Sequence, residues 1–236
     1  MSSTTAIKCP NCKSNVPIGY PICPYCGYDL RPIIRLKARQ ELTKRDIILR
    51  IRDSLIKPWK VHDSVILAPD SLGPLLIIMI ISLLTALRLL IVLNKVLGFT
   101  ELSTIADISL LLTLAFAGGF ILYLCIWLGF SIYTNFILRL LGANTDFSLT
   151  RSLVGYSSSV LILFSAVSTL ITVFMPNNPT LTTEPSIIGL SRIIMFIGII
   201  FIIGMISIGT AKAYFLNKYL IFVLLFPLAL IAYLSI

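Results

Sequence analysis

The chain has 236 residues, of which 57% are hydrophobic and only 12% are charged, and its formal net charge is +9. Because soluble domains carry about 25% charged residues, this composition excludes an ordinary soluble globular protein. A transmembrane β-barrel is also excluded, since its strands alternate apolar and polar residues, whereas the long segments here are apolar all round. The composition therefore predicts an all-α integral membrane protein.

The N-terminal segment contains two C-x2-C pairs, formed by Cys9 with Cys12 and by Cys23 with Cys26. Each pair turns tightly and directs two thiolates at one point, so the two pairs together close the tetrahedral four-thiolate site that zinc prefers. Residues 1–32 are therefore predicted to be a zinc ribbon folded by one structural Zn²⁺, because so short a segment buries too little apolar surface to fold alone. A catalytic zinc is disfavoured, since four cysteines leave no open coordination position.

A ribbon of this kind usually serves as a docking surface, so we expect it to bind a cytoplasmic partner protein. The residues expected to present this surface are Val16, Tyr20, Tyr25 and Tyr28. A disulfide-bonded head is less favoured, because the cytoplasm keeps thiols reduced.

Residues 33–71 form a basic connector in which apolar residues recur at loose helical spacing with Lys and Arg between them. We predict a helix that ends at Pro58 and Trp59. Two interpretations stay open: a basic amphipathic helix that lies on anionic headgroups, or a solvated linker helix. The excess of basic residues indicates that this segment faces the cytoplasm rather than that it binds nucleic acid. Contact with nucleic acid is expected only through a ribosome.

The third predicted unit, residues 72–236, is a five-span membrane domain. Its spans are expected at about 74–93, 108–133, 153–174, 187–211 and 218–235, each near the roughly 20 residues that cross a bilayer. The helical pattern of the second span continues to Leu141, so its inner end is expected to project into the cytoplasm and to stop at Gly142.

The distribution of basic residues predicts the orientation of the chain. With the ribbon inside, 16 of the 19 Lys and Arg residues lie inside, one lies outside and two lie within spans. This asymmetry follows the rule that basic residues face the cytoplasm. The prediction is a multi-pass protein of the cell membrane with a cytoplasmic N-terminus and, because five is odd, an outer C-terminus.

Two groups of short motifs, one before the first span and one around the third, resemble those of a known family. They are Lys57–Trp59, Asp63, Ala68–Asp70, Gly73–Pro74, Leu141–Ala143 and Gly155–Ser159. Together they resemble the Yip (Rab-GTPase-interacting) membrane protein family, in its prokaryotic or archaeal form with an N-terminal zinc ribbon. The resemblance covers residues 57 to about 230 diffusely, and it implies an all-helical five-span fold and, from eukaryotic members, a trafficking scaffold that binds partner proteins.

Charged residues inside the spans are costly and are usually paired or extended to the interface. Arg88 and Arg192 lie at similar depths below the outer surface, and Asp107 and Glu184 are the nearest acids. One interpretation is that each arginine extends separately to the interface. The other is a polar cluster that holds three spans together or binds an anionic headgroup.

On the cytoplasmic half, Asn135, Tyr156 and Ser158 are predicted to converge, together with Ser157, Ser159 and Lys212. The serines either allow helices to pack closely or line a polar pocket for a headgroup or a partner residue. Cys125 is predicted to be buried in the second span as a small apolar residue.

The sequence favours a non-enzymatic membrane scaffold or adaptor, since the only histidine, His62, belongs to no recognisable catalytic set. Two alternatives stay open. One is a small-solute or lipid transporter, and the other is an accessory subunit of a larger membrane complex such as a translocon or a ribosome-docking factor. A homo- or hetero-oligomer is compatible with each of these functions.

Overall fold

The computed structural model of the chain describes residues 6–17, 20–30, 33–34, 42–97, 105–174 and 184–234. The ribbon begins with strand β1 (Ala6–Lys8), which pairs antiparallel with strand β2 (Asn15–Pro17). In this pairing Ile7 lies opposite Val16, and both side chains are buried. A second, shorter bridge joins Ile22 to Asp29 around the other cysteine pair.

Residues 42–71 of the connector contain two consecutive helices. Helix α1 (Lys44–Ile56) begins at a capping box, in which Thr43 and Asp46 satisfy each other's backbone N–H groups. Helix α2 (Pro58–Leu67) follows after Lys57 alone. The prediction of a single helix that ends at Pro58 and Trp59 is therefore corrected: Pro58 opens a new helix, because proline lacks only an N–H that the first turn cannot use.

The membrane domain consists entirely of helices among its described residues. They are α3 (Leu72–Leu97), α4 (Ile105–Leu140), α5 (Phe147–Ser157), α6 (Val160–Val173), α7 (Glu184–Tyr214) and α8 (Lys218–Leu234). Four helical segments, 72–95, 108–140, 147–173 and 193–214, are long and apolar enough to cross a membrane, and the first part of α8, Lys218–Pro227, is a shorter apolar segment. The helical membrane fold is confirmed, while the count of five spans stays a prediction.

Helix α4 has 36 residues and is therefore about 54 Å long, well beyond the thickness of a hydrocarbon core. It stops where the sequence predicts, because Gly142 takes a positive φ of 81°. The N–H groups of Gly142 and Ala143 then bond back to the carbonyls of Arg139 and Leu138 at 2.9 and 3.0 Å. This is the usual way in which a glycine closes a helix.

The third apolar segment, predicted as a span at 153–174, is built from two consecutive helices that together form the candidate span 147–173. Helix α5 starts at Phe147, where Asp146 caps it, and the helical bonding tightens at Ser158 and Ser159 before α6 begins. The N–H of Ser159 bonds to the carbonyl of Tyr156, three residues back, at 3.2 Å. The α-helical hydrogen-bond pattern is therefore interrupted here without a proline, at two serines whose hydroxyls can bond to nearby backbone groups.

Helices α1 and α2 pack against the membrane domain and do not extend into solvent. Val61 and Val65 of α2 join a buried cluster with Ile77 of α3 and Leu153 of α5. Apolar burial of this kind is the main stabilising term in folding. Helices α1 and α2 are therefore an integral part of the helical bundle.

One residue of α4, Cys125, lies on a different face of the helix from the one predicted. Cys125, expected to be buried, is exposed on the outward side of the helix. Its neighbours Leu122 and Ile126 are exposed on the same surface. In a bilayer this surface faces lipid, where an apolar thiol is as well solvated as in a protein interior.

Candidate metal centre and buried polar sites

The four cysteines of the ribbon converge on one point. Their sulfur atoms all lie within 4.8 Å of one another, and the distances from Cys9 to Cys26 and from Cys12 to Cys23 are both 3.6 Å. A Zn–S bond of about 2.3 Å in a tetrahedron implies sulfur atoms about 3.8 Å apart. The cluster therefore has the dimensions to hold one metal ion.

The two cysteine turns have the same backbone geometry. Lys13 N–H bonds to the Cys9 carbonyl and Gly27 N–H bonds to the Cys23 carbonyl, each at 2.9 Å. Lys13 and Gly27 both take positive φ, at 62° and 73°. Lys13, which stands where glycine is more usual, thus adopts the glycine-like conformation that closes the first turn.

In the metal-free ribbon, the thiols of Cys12 and Cys23 differ in their pKa values. Hydrogen bonds from Ser14 lower the pKa of Cys12 to about 6, whereas burial raises the pKa of the Cys23 thiol to about 11. Because a metal binds thiolates, loading the site must release the proton of Cys23. Metal affinity is therefore expected to fall as the pH falls.

The ribbon has an interior and an aromatic surface. Val16, predicted to be part of the docking surface, is instead fully buried in a cluster with Cys9, Cys23 and Leu30. The correction follows from strand pairing, which turns Val16 to the same face as Ile7. The tyrosines predicted with it remain exposed: Tyr20, Tyr25 and Tyr28.

A buried polar site, which we name the Asp70 node, joins the connector to the membrane domain. The guanidinium of Arg50 donates to Asp70 Oδ2 at 3.1 Å, and their side chains are only 11% and 8% exposed. Tyr156 donates its hydroxyl to the same oxygen at 2.9 Å, and Gly73 N–H donates to Asp70 Oδ1 at 2.8 Å. The carboxylate is thus fully paired by α1, α3 and α5, as a buried charge requires.

Arg50 also binds the backbone at the C-terminal end of α2 and at the residue that follows it. It donates to the carbonyl of Ser64 at 2.8 Å and to that of Ala68 at 2.7 Å. On the other side, the Ser152 hydroxyl donates to the carbonyl of Asp70 at 2.5 Å. The turn that precedes α3 is therefore held by side chains from two other helices.

The two groups of family-like motifs contact each other directly beside this node. A Cβ on Gly73 would lie 2.0 Å from the Tyr156 hydroxyl, and one on Gly155 would lie 2.4 Å from the ring of Pro74. Neither position has room for a side chain. The glycines are therefore required for the close approach of α3 and α5, and this packing is what connects motifs 80 residues apart in the sequence.

Replacing Gly155 with Ala should destabilise the folded protein by about 1–3 kcal/mol, because the added methyl group must displace Pro74. A matched control is Gly118→Ala in α4, where an added Cβ meets nothing within 4 Å. The control should be neutral or stabilising by up to about 1 kcal/mol. Unfolding in mixed micelles measures both, and equal effects at the two sites would contradict the proposed packing.

His62 is a second buried polar group at the junction of three helices. Its ring is fully buried, its Nε2 lies 3.2 Å from Ser157 Oγ, and Gly209 of α7 packs against its face. Its Nδ1 has no hydrogen-bond partner among the described residues. Burial lowers the pKa of His62 to about 4, while the negative charge of Asp63 opposes this shift and the positive charge of Lys212 adds to it.

The stability of the protein should depend on pH through His62. Its pKa is about 4 when folded and about 6.5 when unfolded, so its contribution is complete above pH 6.5 and is lost as the pH falls to 4. The total loss is about 3 kcal/mol. We expect His62→Gln to flatten the pH dependence of unfolding between these values. Asp63→Asn serves as a comparison that keeps the histidine. If the free energy of unfolding depends on pH as steeply in His62→Gln as in the wild type, groups other than His62 cause the dependence.

The polar residues predicted at the outer side are only partly described. Arg88 is half-buried on α3, one turn from Thr85, whose hydroxyl lies 3.1 Å from that of Tyr123. The side chains of Asp107 and Arg192 lie outside the described residues. The outer polar cluster therefore stays a prediction.

The polar residues predicted on the cytoplasmic half have different hydrogen-bond partners, and their convergence on one site stays a prediction. Ser158 bonds within its own helix, to the carbonyl of Val154, while Ser159 donates to the carbonyl of Ser54 in α1 at 3.2 Å. Asn135 is buried on α4, and Lys212 pairs with Asp63 at the surface. The centre of the network around Tyr156 is formed by Arg50 and Asp70, neither of which was predicted to belong to this polar cluster.

The helical membrane domain and the four-cysteine head define a multi-pass membrane protein with a head that can hold a metal ion. The family model of the Yip1 domain matches residues 52–236, which is more than half of the chain. The chain therefore belongs to the Yip1 domain family, a family of membrane proteins. Comparisons with curated proteins and with solved structures found no match. The match begins inside α1, so the ribbon lies outside the family domain.

Proposed function

We propose that this protein is a non-enzymatic membrane scaffold that uses its ribbon, folded by one Zn²⁺, to dock a partner protein in the cytoplasm. The observation that carries the proposal is the separation of the ribbon's interior from its surface. Val16 and Leu30 fill the interior, whereas Tyr20, Tyr25 and Tyr28 are exposed. Tyrosine is enriched at protein interfaces and carries much of their binding energy.

The hydrogen bonds of the membrane domain favour a scaffold over a transporter. Three neighbouring residues that a polar path would use, Tyr156, Ser157 and Ser159, bond instead to Asp70, His62 and the backbone of α1. These bonds fasten the connector to the spans. A scaffold requires a connector that is fixed rigidly to the spans.

The cytoplasmic location of the ribbon rests on charge. Sixteen of the 19 basic residues fall on the ribbon's side of the proposed topology. Basic residues next to spans are retained in the cytoplasm during insertion. The proposed partner is therefore a cytoplasmic protein, brought to the membrane by the ribbon.

Co-purification of the intact protein with its partners tests the proposal. The comparison is with a variant that lacks residues 2–34, which removes the ribbon and keeps Arg50 in place against Asp70. We expect partner recovery to fall at least tenfold in the deletion variant and also in a Cys23→Ser, Cys26→Ser variant. Cys125→Ser is the matched control and should retain full recovery. Equal recovery from the intact and deletion forms would contradict docking by the ribbon.

A further inference from the structure

The α1–α2 hairpin carries an exposed stripe of alternating basic and apolar residues, which we name the outer stripe. On α1 it consists of Arg45, Ile48, Arg52 and Ile56, which are all exposed and are spaced by three, four and four residues. This spacing places the four side chains on one face of a helix. The opposite face holds Ile47 and Ser54, which are buried.

The outer stripe continues onto α2. Trp59, Lys60 and Leu67 are exposed there, and Trp59 and Leu67 show more than half of their surface. Ile48 and Ile56 of α1 are similarly exposed, at 63% and 62%. Four large apolar side chains on one small hairpin are too many for a surface that faces only water.

The position of the hairpin places the stripe at the edge of the hydrocarbon layer. Helix α6 has only 14 residues, about 21 Å, so a span that ends at Val173 must include part of α5. Counting about 20 residues back from Val173 reaches Val154. Ser159 lies within that stretch, and its hydroxyl bonds to Ser54 of α1. The turn between α1 and α2 therefore lies beside the inner end of a span.

The helix that carries most of the stripe also packs against two spans that expose apolar residues. Helix α1 contacts α3 and α6, whose exposed residues Met79, Leu83, Leu163 and Val167 are apolar. A helix with basic and apolar residues on its outward face, next to such a surface, has the composition of an interfacial helix. Trp59 is the residue type that anchors helices at headgroup level.

We propose that the outer stripe binds anionic phospholipid headgroups of the adjacent leaflet. Ile48, Ile56 and Trp59 enter the upper acyl region, and Arg45 and Lys60 contact the phosphates. Arg52 adds less, because it already pairs with Asp53 at 2.8 Å. This contact is independent of the ribbon and its partner, so it goes beyond the proposed scaffold function.

The test uses the full chain in nanodiscs of phosphatidylcholine with a minor fraction of phosphatidylglycerol. The lipid composition is kept constant, and bromine is placed on the acyl chains of either the anionic or the neutral lipid. Bromine quenches nearby tryptophan, and the chain has two, Trp59 and the buried Trp127. A Trp59→Phe variant gives the Trp127 signal, so subtraction leaves Trp59 alone.

Per mole of brominated lipid, we expect the anionic lipid to quench Trp59 at least about threefold more than the neutral lipid. Arg45→Gln with Lys60→Gln should bring the two values close together. Lys8→Gln with Lys13→Gln removes the same charge from the ribbon and should leave the ratio unchanged. No quenching of Trp59 by either lipid, equal quenching by both in the wild type, or an equal loss in the control variant would overturn the proposal.

Discussion

Replacing Asp70 with Asn should destabilise the folded protein by about 3–5 kcal/mol, because it leaves the buried guanidinium of Arg50 without a counter-charge. The asparagine still accepts a hydrogen bond from Gly73 N–H, so the loss reports the charge rather than the helix cap. Reversible unfolding of the purified protein in mixed micelles measures the change.

The matched control is Asp63→Asn. Asp63 pairs with Lys212, but both side chains are more than half exposed, in contrast to Arg50 and Asp70. Exposed ion pairs contribute about 1 kcal/mol or less, so the control should have little effect. If the two substitutions destabilise the protein equally, the Asp70 node does not hold the connector to the spans.

Two further variants separate the contributions within the node. Tyr156→Phe removes one donor to Asp70 and should cost about 1–3 kcal/mol. Replacing Arg50 and Asp70 together with apolar residues of similar volume should recover much of the loss, because no unpaired charge remains. A double variant as unstable as Asp70→Asn would show that packing, and not charge, dominates at this site.

The second large effect is expected at the metal centre. Cys23→Ser with Cys26→Ser removes two of four ligands, so zinc content should fall from one ion per chain to none. Binding of structural zinc supplies about 10–16 kcal/mol in small metal-folded domains, which the ribbon's few buried residues cannot replace. The ribbon should therefore unfold and become sensitive to protease.

The same variant should leave the membrane domain folded, because the match to the family domain begins only at residue 52. Elemental analysis measures the metal, and the melting temperature of the membrane domain is the internal control. Cys125→Ser should retain the ion. A zinc content that stays at one per chain in the double variant would contradict the four-cysteine site.

The sequence predicts the features that depend on local spacing. Two C-x2-C pairs place four sulfurs together because each pair is a short turn, and the structure confirms this cluster. Long apolar segments predict membrane helices because length and hydropathy alone decide whether a helix can span. The end of α4 follows from Gly142, which tolerates the positive φ that closes a helix.

The Asp70 node could not be predicted in the same way. Arg50 and Tyr156 lie 20 and 86 residues from Asp70, so only tertiary packing brings them together. The family-like motifs contained Asp70, Gly73 and Tyr156, but their spacing does not indicate that they touch. Periodicity likewise could not assign Cys125, because a helix that is apolar all round does not reveal which face packs against other helices.

Photo-crosslinking from the ribbon in living cells is the most direct test of the scaffold function. A crosslinking amino acid at Tyr25, the most exposed of the ribbon's tyrosines, should capture a specific cytoplasmic protein. The same group at Phe136, an exposed position on α4, should not capture it. We expect the crosslink from Tyr25 to disappear when Cys23 and Cys26 are replaced by Ser. Capture that persists without the metal ligands, or that is equally strong from Phe136, would contradict the account.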